Sequence, residues 1–245
     1  MIHSLQIKPP VIAHRGASAY APENTLSSFT RAAQLGIQWV EFDVMLAACG
    51  TPIVFHDETL DRTTDRQGDI GGHPYRYLQT LDAGAWFHSK FAGERIPTLA
   101  QVLALLKEAG MCANVEIKPL PGQDKETILA TLKTVSTYFT QPNTSILFSS
   151  FSIDALKYLR EASKECLIGF LMHDWLDDWK HVADELQCVS MNVNEEIMTK
   201  ERAQAIKQAG YQLLCYTVNH AERAKELYSW GVDAVFSDCP DKVLG

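Results

Sequence analysis

The chain has no run of about 18 apolar residues, so nothing in it predicts a membrane-spanning helix. Its opening, Met1-Ile2-His3-Ser4-Leu5-Gln6-Ile7-Lys8-Pro9-Pro10, lacks the apolar stretch of a signal peptide, and a cytoplasmic location is expected. Positive charge is also short: 22 Lys+Arg stand against 30 Asp+Glu, a formal net charge of −8. Nucleic acid and anionic membranes both require a cationic face, so neither is expected as a partner. The six cysteines (Cys49, Cys112, Cys166, Cys188, Cys215 and Cys239) contain no CxxC pair. That spacing argues against zinc and against a disulfide framework, and for small buried hydrophobes in a reducing cytosol.

What is present is an ordinary globular composition, 46% hydrophobic and 21% charged over 245 residues. The length suits one α/β barrel, which takes about 250 residues. A helix, a glycine and an apolar strand recur in that order: Gly36 precedes 37–44, Gly110 precedes 111–117, Gly210 precedes 211–218, and Gly231 precedes 232–236. Glycine suits the left-handed position just past a helix. Thr98 with Gln101, and Asn219 with Glu222, read as capping boxes at helix starts.

Nine strand-like runs lie near 11–15, 38–46, 52–56, 112–117, 145–150, 166–171, 188–193, 211–217 and 233–237. The link from 38–46 to 52–56 is too short for a parallel crossover, so these two form an antiparallel hairpin. The remaining eight predict a (β/α)8 TIM barrel with one extra hairpin strand. Residues 57–97, rich in Asp, Gly, Thr and aromatics, read as an insertion over the barrel mouth, followed by a helix from Thr98 to Ala109. The whole chain, 1–245, is read as a single domain.

Barrel active sites lie at the C-terminal ends of the strands. There the sequence places His14-Arg15-Gly16, Glu41 and Asp43, His56-Asp57, Glu116 and Lys118, Ser149-Ser150-Phe151, Asn192 and Asn194, and Asp238. Glu41 and Asp43 are two apart and share a strand face, as do Glu116 and Lys118. If Val40, Phe42 and Val44 pack outward, three carboxylates converge on the barrel axis. Like charges there need compensation, and oxygen-only ligands favour one hard divalent cation, Mg²⁺ or Ca²⁺. The hairpin returns His56 toward Asp43, so His14 and His56 flank the candidate metal, as general acid–base chemistry near neutral pH requires. Arg15 and Lys118 add the positive charge that a phosphoryl group needs. The other histidines (His3, His73, His88, His173, His181 and His220) are read as structural. Glu23 and Asn24, from the residues alone, read as helix-start residues. Trp175 and Trp179 read as core or cap packing rather than an interface.

These motifs together resemble the glycerophosphodiester phosphodiesterase family, in its cytosolic bacterial form. The resemblance runs in order through His14-Arg15-Gly16, Ala21-Pro22-Glu23-Asn24-Thr25, Glu41-Phe42-Asp43, Val54-Phe55-His56-Asp57, Leu60-Asp61-Arg62-Thr63-Thr64 and Asp82-Ala83-Gly84-Ala85-Trp86-Phe87. It continues through Val115-Glu116-Ile117-Lys118, Ser149-Ser150-Phe151, Tyr216-Thr217-Val218-Asn219 and Gly231-Val232-Asp233. It implies that His14 and His56 are the acid–base pair, that Glu41, Asp43 and Glu116 hold the metal, and that Arg15 and Lys118 bind phosphate. It also implies that Glu23 and Asn24 support the site and that Tyr216 lines the glycerol pocket. Ala47-Ala48-Cys49-Gly50 departs from the polar hairpin turn usual in that family, which weakens the hairpin without touching the site.

The implied reaction is hydrolysis of a glycerophosphodiester to sn-glycerol 3-phosphate and an alcohol. The first nucleophile is water or the neighbouring glycerol 2-hydroxyl. The alternative reading is a lysophospholipase D or another phosphodiesterase on the same barrel, which the absence of a membrane-facing helix disfavours.

Overall fold

The computed structural model describes residues 5–139 and 145–244. The strands are β1 (Val11–Ala13), β2 (Trp39–Leu46), β3 (Pro52–Val54), β4 (Cys112–Ile117), β5 (Ile146–Ser150), β6 (Leu167–Met172), β7 (Ser190–Asn194), β8 (Gln212–Tyr216) and β9 (Ala234–Ser237). The sheet order is β1-β9-β8-β7-β6-β5-β4-β2-β3, and β1 also pairs with β2 through Ala13 and Val40. That pairing closes eight parallel strands into the expected barrel. β3 is the extra strand, antiparallel to β2 in the register Val44↔Val54. The helices α1 (Leu26–Gln34), α3 (Leu99–Ala109), α4 (Asp124–Tyr138), α5 (Ile153–Ala162), α6 (Trp179–Leu186), α7 (Lys200–Gln208) and α8 (Ala221–Ser229) connect the strands. Two single-turn helices, α2 (Tyr75–Leu78) and α9 (Pro240–Val243), lie in the insertion and at the end of the described chain.

Strand alternation divides the interior into two layers. Val40, Phe42 and Val44 face outward into the core shared with the helices, where Phe42 meets Phe29 of α1 edge-on. Trp39 faces inward with Ile12, Leu147, Leu167, Leu214 and Phe236, and Leu5 and Ile7 close this inner cluster. The segment before β1 is stitched there: the Trp39 indole donates to the Gln6 carbonyl at 3.1 Å, and Gln212 exchanges two hydrogen bonds with the Leu5 backbone. These contacts fall at the strands' N-terminal ends, so that end of the barrel is plugged and the polar interior opens at the other.

The insertion has its own small core. Leu60, Ile70, Leu78, Leu81, Ala83 and Ile96 pack with Met45, Ala47, Ile53 and Phe55 of the hairpin. Met45 is on the same face of β2 as Glu41 and Asp43 and nearer its C-terminal end. The insertion is therefore built beside those carboxylates, at the barrel mouth.

Local expectations fare unevenly. Gly36, Gly110, Gly210 and Gly231 all take positive φ past their helices. The Thr98–Gln101 capping box is present. The expected Asn219–Glu222 box is not: His220 occupies the cap of α8 without a side-chain bond. The reason is competition, since Asn219 is fully engaged with Ser237 and Asp238. The cap of α1 is Thr25, not Glu23 or Asn24, which turn toward the barrel. In the hairpin turn the Cys49 thiol stands where a polar side chain is usual: it lies 3.2 Å from Thr51 Oγ1 and accepts from the Tyr75 N–H at 3.4 Å. Those two contacts hold the thiol down at about 7. Cys49 is thus exposed and Cys112 half-buried, while the other four cysteines are buried as expected; none is in a disulfide. Trp179 is in the core, and Trp175 packs against it under the Arg202 guanidinium. Among the described residues no helix is long and apolar enough to cross a membrane.

One buried cation holds several elements at once. The Arg160 guanidinium, at the end of α5, donates to the carbonyls of Leu186, Lys164, Cys166, Ser163 and Gln187. These carbonyls end α6 and precede β6 and β7, and a charged donor satisfies them better than water-free neutral groups could. Arg160→Met should therefore cost about 3 kcal/mol, a fall in Tm of roughly 6–12 °C. Calorimetry checks this, and the variant's residual activity should be that of the parent protein.

Candidate active site

β2 delivers Glu41 and Asp43 to the barrel interior from its middle, and β4, paired with it in the register Asp43↔Glu116, delivers Glu116 alongside. One carboxylate oxygen from each of the three lies within 4.8 Å of the others. Glu41 and Asp43 are only 2% and 1% exposed. Three carboxylates this close and dry cannot all remain ionised unless something positive lies among them.

The protein compensates them unequally. Asp43 receives most of the compensation: Arg15 Nε at 3.4 Å, Lys118 Nζ at 3.9 Å, and the neutral Asn24 amide donating at 2.8 Å, while the same Lys118 Nζ lies 4.0 Å from Glu116 Oε1. Burial pushes the Asp43 carboxyl up, but Arg15, His56 and Lys118 together outweigh that and hold it below the usual range. Glu41 accepts only the Arg15 backbone N–H, at 2.8 Å. Burial first, then Asp43 and Glu116, push Glu41 well above the ordinary carboxylate range. Burial and Asp43 push Glu116 up to about 8. Glu41 Oε1 and Glu116 Oε1 are buried with no hydrogen-bond partner. Unpartnered oxygens on converging carboxylates match the donor set of a hard divalent cation, so these residues can hold one.

The two histidines are held alike, each by a carboxylate on Nδ1. Asp238 Oδ1 lies 2.7 Å from His14 Nδ1, and Asp57 Oδ1 lies 2.5 Å from His56 Nδ1. This frees each Nε2 for chemistry. His14 Nε2 lies 3.9 Å from Glu41 Oε2, which directs it at the carboxylate cluster. The two aspartates are supported differently. Asp238 accepts from the Ser18 hydroxyl and the Asn219 amide, and these bonds with that to His14 hold it far below the usual range against its burial. Asp57 accepts from Arg62 and is held at about 2, again against burial. Burial pushes the His56 imidazole down, with Arg15 and Lys118 acting in the same sense and Asp43 opposing.

A cavity of about 310 Å³ collects these groups. His14, Arg15, Glu41, His56, Asn114, Glu116 and Tyr216 line it, together with Phe151, Leu171, His173, Thr217 and Phe236. The lining thus combines charged groups with aromatic and apolar ones. The Tyr216 hydroxyl donates to the Met172 carbonyl at 2.9 Å, leaving its ring to the cavity, edge-on to Phe151 and Phe236. Asp43 and Asn24 are buried behind the lining, and Lys118, partly exposed, stands beside it at Glu116. Glu23 lines a neighbouring cleft with Asn219 and Asp238, where its carboxylate pairs with Arg15 Nη1 at 2.8 Å and with Arg62.

His14, Arg15, Glu41, His56, Glu116 and Tyr216 thus line one cavity, with Asp43, Lys118, Glu23 and Asn24 beside it, whereas Ser150 donates to the Ile117 carbonyl, Asn192 accepts from Ser190 and Asn194 accepts from the Glu196 N–H. His173, set aside as structural, also lines the cavity; its parity with Leu171 beyond β6 was the available signal. Asn114 shares a face with Glu116 in the same way. The local signal at Asn219 pointed to a helix cap and Arg62 stood out only within the motif 60–64; their bonds to Asp238 and to Asp57 and Glu23 are made by the fold. His3 lies outside the described residues.

Comparison with known proteins follows the geometry. Residues 14–242 match the model of the glycerophosphoryl diester phosphodiesterase family. A glycerophosphodiester phosphodiesterase of Caldanaerobacter subterraneus subsp. tengcongensis is 34% identical over 242 residues, covering 97% of both chains. A solved phosphodiesterase of Oleispira antarctica, in complex with the product sn-glycerol-3-phosphate, superposes with a TM-score of 0.93 and 40% identity over 96% of this chain and 95% of that one. A solved glycerophosphodiester phosphodiesterase of Agrobacterium tumefaciens gives 0.77 and 27% over 95% and 97%.

The carboxylate cluster has a thermodynamic signature. Glu116 titrates higher in the folded protein, about 8, than its ordinary 4.5. Below about pH 4.5 both states are protonated and nothing is lost; as pH rises toward 8 the unfolded chain sheds protons that the folded chain retains, so metal-free stability falls across that window. A bound cation replaces those protons. Excess Mg²⁺ or Ca²⁺ at about 100 times Kd should stabilise by about 2.7 kcal/mol at pH 8 and by clearly less at pH 5.5. Thermal melts with and without the ion read this directly, and Glu116→Gln should flatten the pH dependence while raising the metal-free Tm.

Proposed function

The chain belongs to the glycerophosphoryl diester phosphodiesterase family, and we propose that it hydrolyses glycerophosphodiesters to sn-glycerol 3-phosphate and an alcohol by histidine acid–base chemistry beside one divalent cation. The observation that carries this reading is the placement of two carboxylate-held histidines and three converging carboxylates on one cavity. The product named in the Oleispira antarctica complex, on a chain 40% identical, supports the substrate class. In this reading residues 1–245 form one catalytic domain, with 57–97 as its inserted cap.

Glu41, Asp43 and Glu116 would hold Mg²⁺ or Ca²⁺, which when bound supplies Lewis-acid polarisation and charge stabilisation at the phosphoryl group. The chain's own side chains do the rest. Arg15 and Lys118 bind phosphoryl oxygens; each is already aimed at Asp43, so the phosphate meets two cations whose positions are set in advance. One histidine takes the proton of the attacking hydroxyl at Nε2 while the other gives a proton at Nε2 to the leaving oxygen. Asp238 and Asp57 keep both Nδ1 atoms occupied, so neither ring presents the wrong nitrogen. Glu23 and Asn24 support Arg15 and Asp43. The ring of Tyr216, edge-on to Phe151 and Phe236, gives the cavity an aromatic surface that suits the carbon skeleton of glycerol. The six free cysteines support a cytoplasmic setting.

Release of glycerol 3-phosphate from glycerophosphocholine tests the reading. Metal-stripped protein should be inactive, regain turnover with Mg²⁺ or Ca²⁺, and lose it to chelator. His14→Ala and His56→Ala should each lose about 10²-fold or more in kcat while keeping the parent Tm. Turnover indifferent to chelator would remove the metal from the mechanism, and near-parent kcat in either variant would remove that histidine.

A further inference from the structure

The inserted segment sends one side chain to the candidate site's supporting groups. Arg62 sits on the turn 60–64, whose backbone is closed by the Thr64 N–H donating to the Leu60 carbonyl at 3.1 Å and by the Thr64 hydroxyl donating to the same oxygen at 2.7 Å. Leu60 is fully buried in the insertion's core, so the turn is anchored. From it the guanidinium reaches in two directions. Nε and Nη2 donate to the Asp57 carboxylate at 2.7 and 3.0 Å. Nη1 and Nη2 donate to the Glu23 carboxylate at 2.7 and 2.8 Å. Asp57 holds the His56 ring at Nδ1, and Glu23 holds the Arg15 guanidinium at Nη1. An unbroken chain of hydrogen-bonded groups therefore runs His56–Asp57–Arg62–Glu23–Arg15.

We propose that Arg62 is a positioning residue, a single guanidinium that sets both the ring of His56 and the side chain of Arg15 and thereby couples the inserted segment to catalysis. The proposal rests on the acid–base role of His56 and the phosphate-binding role of Arg15. The chemistry calls for arginine specifically. Four of its five N–H donors are used, in one plane, toward two carboxylates. A lysine has three donors on one atom and cannot serve both in fixed directions. The side chain is 46% exposed, so its ion pairs add little to stability. Its effect is geometric. Without it Asp57 can rotate off His56 and Glu23 off Arg15, and displacements on the order of 1 Å at reacting groups cost up to about 10²-fold in rate.

The test is steady-state kinetics on glycerophosphocholine with saturating divalent cation, for the full chain and for Arg62→Ala, Arg62→Lys, His56→Ala and Arg15→Ala, each with its Tm. Arg62→Ala should lose about 10- to 100-fold in kcat through His56 and raise KM several-fold through Arg15, with Tm within a few degrees of the parent. Arg62→Lys should recover little of either. Double variants separate the two arms: Asp57→Asn should add nothing to the kcat loss of Arg62→Ala, and Glu23→Gln nothing to its KM rise. Parent-like kinetics in Arg62→Lys, or losses that multiply in both double variants, would overturn the proposal. So would a deficit in Arg62→Ala that vanishes when the assay is run well below its Tm, which marks a purely structural tie. Parent-like Arg62→Ala beside inactive His56→Ala overturns the proposal alone; full turnover by His56→Ala overturns the reading beneath it and the proposal with it.

Discussion

Glu41, Asp43 and Glu116 are buried against one another on the axis of the barrel, and much of the mouth is organised to make that tolerable. Arg15 and Lys118 hold Asp43 ionised; Lys118 Nζ also lies 4.0 Å from Glu116 Oε1, yet Glu41 and Glu116 keep oxygens without a hydrogen-bond partner and a raised affinity for protons. A cluster so arranged is under-neutralised by its own chain. It is stable with protons or with an added cation, and the second state is the one in which all three carboxylates are available as ligands. The arginine and lysine that restrain Asp43 are the same groups proposed to receive phosphate, so charge compensation and substrate recognition draw on one set of side chains.

Around that cluster the imidazoles are held by symmetric contacts with unlike support. His14 and His56 each give Nδ1 to an aspartate. Asp238 is steadied by the neutral donors Ser18 and Asn219, whereas Asp57 is steadied by the charged Arg62. A carboxylate beside neutral donors keeps its full field at the ring; one neutralised by a guanidinium presents less. The two histidines are therefore backed by differently supported aspartates within one cavity.

The barrel serves this arrangement by dividing labour between its ends. Leu5, Ile7 and Trp39 close the N-terminal end with apolar contacts and backbone hydrogen bonds, so the polar interior faces one opening. The hairpin strand carries His56 back past Asp43, and the insertion that follows packs on that hairpin through Met45 and Ile53. The segment that departs from the βα repeat is thus attached to the strand that bears two of the three carboxylates.

The sequence by itself determined the strands, their alternation and the chemistry of the cluster. Period-two spacing puts Glu41 with Asp43 whenever Phe42 faces the helices, and a link of only five residues admits only a hairpin. Glycines at helix ends and the Thr98–Gln101 box were equally legible, because their physics is contained within a few residues. The failures have one cause. Asn219 looked like a cap and is instead committed to Asp238, and Glu23 and Asn24 looked like helix starters and instead hold Arg15 and Asp43. A polar side chain near a helix start has a local use and a distant one, and only the closed barrel brings the distant partner within hydrogen-bond range. For the same reason the roles of Asp238 at His14 and of Arg62 between Asp57 and Glu23 were decided by tertiary structure: His14 lies 224 positions from Asp238 and Arg62 lies 39 from Glu23, and although Asp57 is only 5 away, no regular helix or strand spacing links it to Arg62.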